Sequence, residues 1–426
     1  MTQVSYLIDG GARLHGAVPI SGGKNAAMPC MAAALLTDAP CRITNVPMIG
    51  DVRLFGAILE DLGADVTVDP AANTLHLAAP GPLGDVPPDR LVANQRASFL
   101  VMGPLLARLG RAACSAPGGD GIGQRPLDVH LRGFAALGAD IREVGGRYVA
   151  SAPQLRGARV VLDYPSVLGT ENLLLAAVLA AGHTTIVNAA AEPEIVCLAS
   201  MLTAMGAQVH GAGTHTIEID GVPALAGADH RLIPDRIETG TFAIAAAMTG
   251  GDLTLDGAQP RHLDALFSKL ADIGVHIHED EAAVRVAAAD RLNASTIQAV
   301  PFPGLPTDLQ ALMTTLLTQA DGVSVVHERV FESRLQYVGE LRKLGARIHT
   351  AGSTAIVQGP TPLRGSTVRG LDIRAAAALV VAALAASGRT ELRDAYHLDR
   401  GYECLDRKLR ALGASIERIA PRESSA

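Results

Sequence analysis

Six apolar stretches of this chain each carry a polar or charged residue close to their start. These are Lys24 before NAAMPCMAAALL, Arg96 before ASFLVMGPLLARL, Thr170 before ENLLLAAVLAAG, Glu238 before TGTFAIAAAMTGG, Asp308 before LQALMTTLLTQ and Arg374 before AAAALVVAALAA. Such stretches predict helices buried on every side. A helix start carries free N–H groups and partial positive charge, so cationic residues placed there suit anionic ligands. Arginine adds a planar fork that grips phosphate and carboxylate. The chemistry implied is the holding of a small, multiply anionic substrate. Two glycine-rich segments, SGGKN and PGGDGIG, match neither the P-loop nor the GxGxxG dinucleotide pattern.

The elements that must position these residues repeat. An apolar-Gly-small turn occurs as LGADV at Gly63, LGADI at Gly138, MGAQV at Gly206, IGVHI at Gly274, LGARI at Gly345 and LGASI at Gly413, in steps of 75, 68, 68, 71 and 68 residues. Near-constant spacing over six copies identifies a structural unit. Each glycine is expected just past a helix end, where positive φ costs it nothing. The first copy shows its helix in Phe55, Ile58, Leu59 and Leu62, the i, i+3, i+4, i+7 pattern of one face. Each unit reads strand, buried helix, strand, surface helix, strand. The expected fold class is α/β, with two pseudo-symmetric domains of three units each and buried central helices.

Composition excludes other classes. At 426 residues the chain exceeds one ordinary core, which favours two domains. A net charge of -7 and only 3% aromatic residues argue against nucleic acid, which needs a basic face or stacking rings. The five cysteines Cys30, Cys41, Cys114, Cys197 and Cys404 are scattered without a CxxC pair. They read as reduced thiols, neither a disulfide framework nor a metal site. The start MTQVSYLIDGGARL shows no signal peptide. Ala375–Ala386 is too short to span a bilayer. A soluble, cytoplasmic protein without cofactor or metal is expected.

In order along the chain, SGGKNAA (21–27), NQRAS (94–98), APGGDGIGQRPLDVH (116–130), AAEPEIV (190–196), PDRIETGTF (234–242), LPTDLQ (305–310), VFESR (330–334), LDIRA (371–375) and HLDRGYECLDRKLRALGA (397–414) resemble the enolpyruvyl transferase superfamily. Within it they are most similar to the UDP-N-acetylglucosamine 1-carboxyvinyltransferases. The resemblance implies an inside-out α/β fold of two domains, 1–23 with 234–426 and 24–233, hinged near Gly23 and Pro234. The second domain would carry a mobile catalytic loop, 116–126. The implied reaction moves the enolpyruvyl group of phosphoenolpyruvate to the 3'-hydroxyl of a UDP-sugar, the first committed step of peptidoglycan precursor synthesis.

The resemblance assigns phosphoenolpyruvate contacts to Lys24, Arg125 and Arg400, with Arg96 and Arg374 close by. Asp308 matches an aspartate beside the attacking hydroxyl and takes the role of general base. Asp before LQALM also suits a helix N-cap. Asn25 matches a contact to the acceptor sugar, and Ser166 lies in a substrate-binding block. Uridine contacts fall on Arg125, Pro126, Leu127, Asp128 and Val129, with Val330 and Phe331 opposite. Most members have cysteine at Asp120. An aspartate is a minority pattern that keeps a proton-relay group and removes the thiolate that fosfomycin alkylates.

One departure concerns the acceptor. The family usually reads Pro-Ser-Val-Gly-Ala-Thr-Glu-Asn, whereas here Pro165 to Asn172 read Pro-Ser-Val-Leu-Gly-Thr-Glu-Asn. The glycine is displaced by one and Leu168 adds bulk. A sister activity on another uridine nucleotide, such as UMP in a specialised pathway, is therefore the alternative, and a non-catalytic nucleotide-binding homologue is a third. The 3-phosphoshikimate activity is disfavoured because its asparagine-alanine-glycine-threonine block is missing. The partners expected are small-molecule substrates, with no nucleic acid and no membrane, and a monomer or weak homo-oligomer.

Overall fold

The computed structural model describes residues 4–420. The chain forms two compact units. Unit 1 comprises Met1–Ser21, Gly121–Gln124 and Pro234–Ala426, and unit 2 comprises Gly22–Asp120 and Arg125–Ile233. Each has its own contiguous apolar core.

In unit 1 the helices Arg236–Thr249, Thr307–Leu317 and Ile373–Ala385 pack on one another, and each also packs on the sheet of its own repeat. Contact on both sides explains their composition. From Ile373 to Leu384 every residue is buried, and small alanines let three helices approach closely without voids. Asp235 and Asp372 start two of them, each carboxylate accepting two backbone N–H groups of the first turn at 2.7–3.1 Å. Such a cap contributes about 1 kcal/mol. Three mixed four-stranded sheets complete the unit, and Ser5–Asp9 lies inside one of them, between Arg389–Arg393 and Ser415–Ile419.

Unit 2 contains two four-stranded sheets and one of three strands. Its central helices are Lys24–Ala33, Met102–Leu109 and Val167–Ala177. The outer helix Gly50–Asp61 buries Phe55, Ile58 and Leu59 completely, each worth about 1.5–3 kcal/mol. All six repeat glycines take positive φ, between 96° and 112°, as the turn expectation requires.

One expected element differs. The stretch from Arg96 is not one α-helix: Arg96–Val101 is a 3-10 helix that runs into the α-helix Met102–Leu109. The cause is the side-chain amide of Asn172, wedged between Phe99 and Gly103. Its Nδ2 donates to the Phe99 carbonyl at 2.9 Å, and its Oδ1 accepts the Gly103 N–H at 2.7 Å. Those are the two groups an α-helical i to i−4 bond would have joined, and a side chain inserted there interrupts the ladder. A Cβ at position 103 would lie 2.4 Å from the Asn172 carbonyl oxygen, so only glycine admits the wedge. Among the described residues no helix is long and apolar enough to cross a membrane.

Candidate active site

In unit 1 the expected acidic residue is held by two arginines. The Asp308 carboxylate accepts from Arg334 Nη2 at 2.7 Å through one oxygen, and from Arg374 Nε and Nη2 at 2.9 and 2.8 Å through the other. The N-cap position of this helix falls on Pro306, so the capping expectation for Asp308 gives way to ion pairing in the first turn. Both guanidiniums are buried, at 5% and 6% side-chain exposure, while Asp308 keeps 26%. Burial opposes the Arg374 charge, but Asp308 and Tyr402 outweigh it and raise its pKa. Arg374 also lies 5.5 Å from the Tyr402 ring centre. The carboxylate is thus fixed in direction.

The same network reaches Val330 and Phe331. Buried Glu328 accepts their backbone N–H groups at 2.8 and 3.1 Å through one oxygen, and the Thr307 hydroxyl at 2.7 Å through the other. Thr307 in turn accepts from Arg334 Nη1 at 3.2 Å, and Arg334 stacks 5.5 Å from the Phe331 ring centre. Glu328 therefore couples the expected uridine-contacting turn to the expected base. Arg400 is the C-cap of the short helix Tyr396–Asp399 and is half-buried. Gly121–Gln124, assigned to this unit, is tied down by Glu332, which accepts the Gln124 N–H at 2.6 Å.

In unit 2 the cationic residues gather at helix starts and on the glycine-rich loop. Lys24 is the first residue of its helix and pairs with buried Asp51 at 2.8 Å. Asn25 follows it and is half-buried. Arg96 begins the 3-10 segment, and its Nη2 donates to the carbonyls of Arg125 and Pro126. Arg125 Nη2 donates to the Asp120 carbonyl at 3.0 Å. Burial and the adjacent Arg125 charge push Arg96 down to about 10. Two neighbouring guanidiniums repel one another, and an anion bound beside them would offset that cost. Leu127 and Val129 are buried and Pro126 is exposed, where the helix Asp128–Ala136 begins.

Asn172 orders this region from below. Its Nδ2 also meets His130 Nδ1 at 3.1 Å, and the His130 ring stands edge-on to Phe99 at 5.2 Å. Burial pushes the His130 pKa down to about 3, helped by the charge of Arg96. The ring is therefore neutral. Ser166 caps the helix Val167–Ala177 through Gly169 N at 3.2 Å, and a Cβ at 169 would lie 2.6 Å from Val129 Cγ1. Glu238, also at a helix start, is committed elsewhere: it binds Lys408 Nζ and Ser21 N, both at 2.7 Å.

Sequence reasoning missed Arg334, Tyr402, Glu328 and Asp51. Arg334 and Tyr402 lay within the matched blocks, but their partners are distant in sequence. Glu328 left no signal, since an acidic residue closing a strand is ordinary.

Arg96 and Arg374 at the heads of two of its buried helical stretches, within a sixfold α/β repeat, agree with the fold and blocks of the enolpyruvyl transferases. The family model for EPSP synthase (3-phosphoshikimate 1-carboxyvinyltransferase) matches residues 8–409, and the chain belongs to that family. It is 48% identical to the UDP-N-acetylglucosamine 1-carboxyvinyltransferase of Desulfosudis oleivorans, over 97% of this chain and 99% of the relative. To UDP-N-acetylglucosamine 1-carboxyvinyltransferase 1 of Symbiobacterium thermophilum it is 49% identical, over 97% and 95%. The crystal structure of the enolpyruvyl transferase NikO from Streptomyces tendae superposes with a TM-score of 0.89 at 29% identity, covering 99% of this chain and all of that one.

Proposed function

We propose that this chain is a transferase that moves the enolpyruvyl group of phosphoenolpyruvate to the 3'-hydroxyl of UDP-N-acetylglucosamine and releases phosphate, in peptidoglycan precursor synthesis. Relatives of that name at 48% and 49% identity, matched over nearly their whole length, support it. The observation that carries the mechanism is the grip of Arg334 and Arg374 on Asp308. A carboxylate held in one orientation is a competent general base for a sugar hydroxyl.

In this reading Lys24, Arg125 and Arg400 neutralise the phosphate and carboxylate of phosphoenolpyruvate, with Arg96 and Arg374 close by. Asp120 delivers a proton to its methylene carbon as the sugar oxygen attacks C2, and Asp308 takes the hydroxyl proton. The tetrahedral adduct then returns a proton from the new methyl group to the Asp120 carboxylate and expels phosphate, which restores the double bond. Asn25, Ser166, Pro126, Leu127, Asp128, Val129, Val330 and Phe331 hold the nucleotide sugar. The protein works in the cytoplasm as a monomer or weak homo-oligomer, without nucleic acid.

A second reading, transfer to another uridine nucleotide, draws on Leu168 and on Gly169, which packs against Val129 with no room for a side chain. Phosphate release from phosphoenolpyruvate decides. UDP-N-acetylglucosamine is expected to support it and UMP is not. Turnover with UMP alone transfers the assignment to the second reading, and no turnover with any uridine nucleotide leaves a binding protein. Fosfomycin is expected to leave the wild type active and to inactivate Asp120→Cys. Adducts on Cys30 or Cys114, identified by mass spectrometry, would break the assignment of the loop.

A further inference from the structure

Three residues from distant parts of the sequence meet inside unit 2. Cys30 lies in the helix Lys24–Ala33, Cys197 in the helix Pro193–Ala204, and His230 in the strand Asp229–Arg231. The two helices pack together, and the strand is the edge of its sheet. Both sulfurs and a ring nitrogen of His230 lie within 4.8 Å of one another, with Cys197 Sγ 3.3 Å from His230 Nε2. The thiols are 0% and 3% exposed, whereas His230 is half-buried and gives an ion a way in.

We propose that Cys30, Cys197 and His230 form a binding site for one zinc-class divalent cation, distinct from the substrate-handling residues. Two sulfurs and an imidazole are the donor set of a borderline-soft ion. Zn–S and Zn–N bonds of about 2.3 and 2.0 Å at tetrahedral angles put neighbouring donors roughly 3.5–3.8 Å apart. The ligand atoms of the observed cluster lie within 4.8 Å of one another, so each pair is within roughly 1 Å of that geometry. The fourth position is left to water.

A second observation concerns charge. Glu171 is fully buried, and neither of its carboxyl oxygens has a hydrogen-bond partner. Glu192 and Glu194 add further acidic groups close to it. A pocket that gathers thiols and an unpartnered carboxyl away from water is stabilised by a cation. Two thiolates and a dication with a neutral imidazole sum to zero, which a buried site tolerates. The site would clamp the helix that presents Lys24 and Asn25, roughly 9 Å along the axis from Cys30.

The test is titration of the full chain with Co2+ under a non-thiol reductant, followed by Zn2+. One equivalent of Co2+ with a thiolate-to-cobalt charge-transfer band, displaced by Zn2+, is expected, together with a melting midpoint that rises with Zn2+ concentration. Cys197→Ser and Cys30→Ser should abolish the band, and Cys404→Ser should leave it unchanged. His230→Gln should weaken binding roughly 100-fold or more, at the upper end of what loss of a supporting contact costs a metal site. His230 is half-exposed on an edge strand, so this variant stays informative if the cysteine variants do not fold. No band while the thiols titrate as reduced, or undiminished binding in His230→Gln, overturns the proposal.

Discussion

The two units build their charged clusters by opposite means. In unit 1 the cluster is held by side chains: Asp308 between Arg334 and Arg374, and Glu328 on Thr307, Val330 and Phe331. It stands on the starts of uninterrupted helices. In unit 2 Arg96, at the head of the 3-10 segment, and Arg125, in the glycine-rich loop, donate to backbone carbonyls of that loop, and the helix beneath Arg96 is interrupted by the Asn172 wedge. A side-chain lattice on rigid helices fixes direction. Arginines that donate to main-chain oxygens take their position from the backbone they bind. In the proposed reaction the difference would suit a base whose aim matters and cations that bind an anion.

The largest effect should come from Asp308→Asn, which keeps the shape and removes the base. A fall of about 10²–10⁴-fold in phosphate release is expected, and near-wild-type turnover would remove Asp308 as the base. Arg125→Ala and Arg400→Ala should each cost on the order of 10²-fold or more. Lysine should rescue poorly because it lacks the fork, and good rescue at Arg125 would show that only its charge matters. Asn172→Ala leaves the Phe99 carbonyl and Gly103 N–H buried and unpaired. About 2–4 kcal/mol of stability should go, read by denaturant melts, with a raised KM for phosphoenolpyruvate through displacement of Arg96. An unchanged KM would uncouple the wedge from the site.

The last effect is absent near neutral pH and shows only as a slope. Unfolded His130 takes up a proton below its ordinary pKa near 6.5, whereas the folded residue does so only near 3. As pH falls through that window the unfolded state binds the proton first, so stability is lost with falling pH. One proton gives up to about 1.4 kcal/mol per pH unit. His130→Gln should flatten the stability profile between pH 6.5 and 3 by that amount, and an unchanged profile would mean that other groups carry the slope.

Much of this was legible in the residues. The six turns were readable because Gly63, Gly138 and their four counterparts mark a local conformation that little else adopts. The buried helices were readable because contact on every side leaves a continuous apolar stretch. Lys24 and Arg374 stood out as charges at the heads of such stretches. The 3-10 segment after Arg96 was not legible, because its cause is Asn172, more than seventy residues further on. For the same reason Asp308 passed equally well as a cap, since nothing near it in sequence announces Arg334 or Arg374. Cys30, Cys197 and His230 showed no ligand spacing, for their proximity exists only after folding.

The strand Ser5–Asp9 has a mechanical consequence. It runs antiparallel to Ser415–Ile419, with Ser5 opposite Ile419 and Asp9 opposite Ser415, so the two ends of the described chain emerge side by side. A pulling force applied at those ends would open the ladder one pair at a time from Ser5 inward, as a zip opens, without loading all its bonds in shear. Resistance to stretching should be low there despite a well-packed core. The same adjacency would let a short linker join the ends and new termini be cut elsewhere, in a surface turn, with every sheet retained.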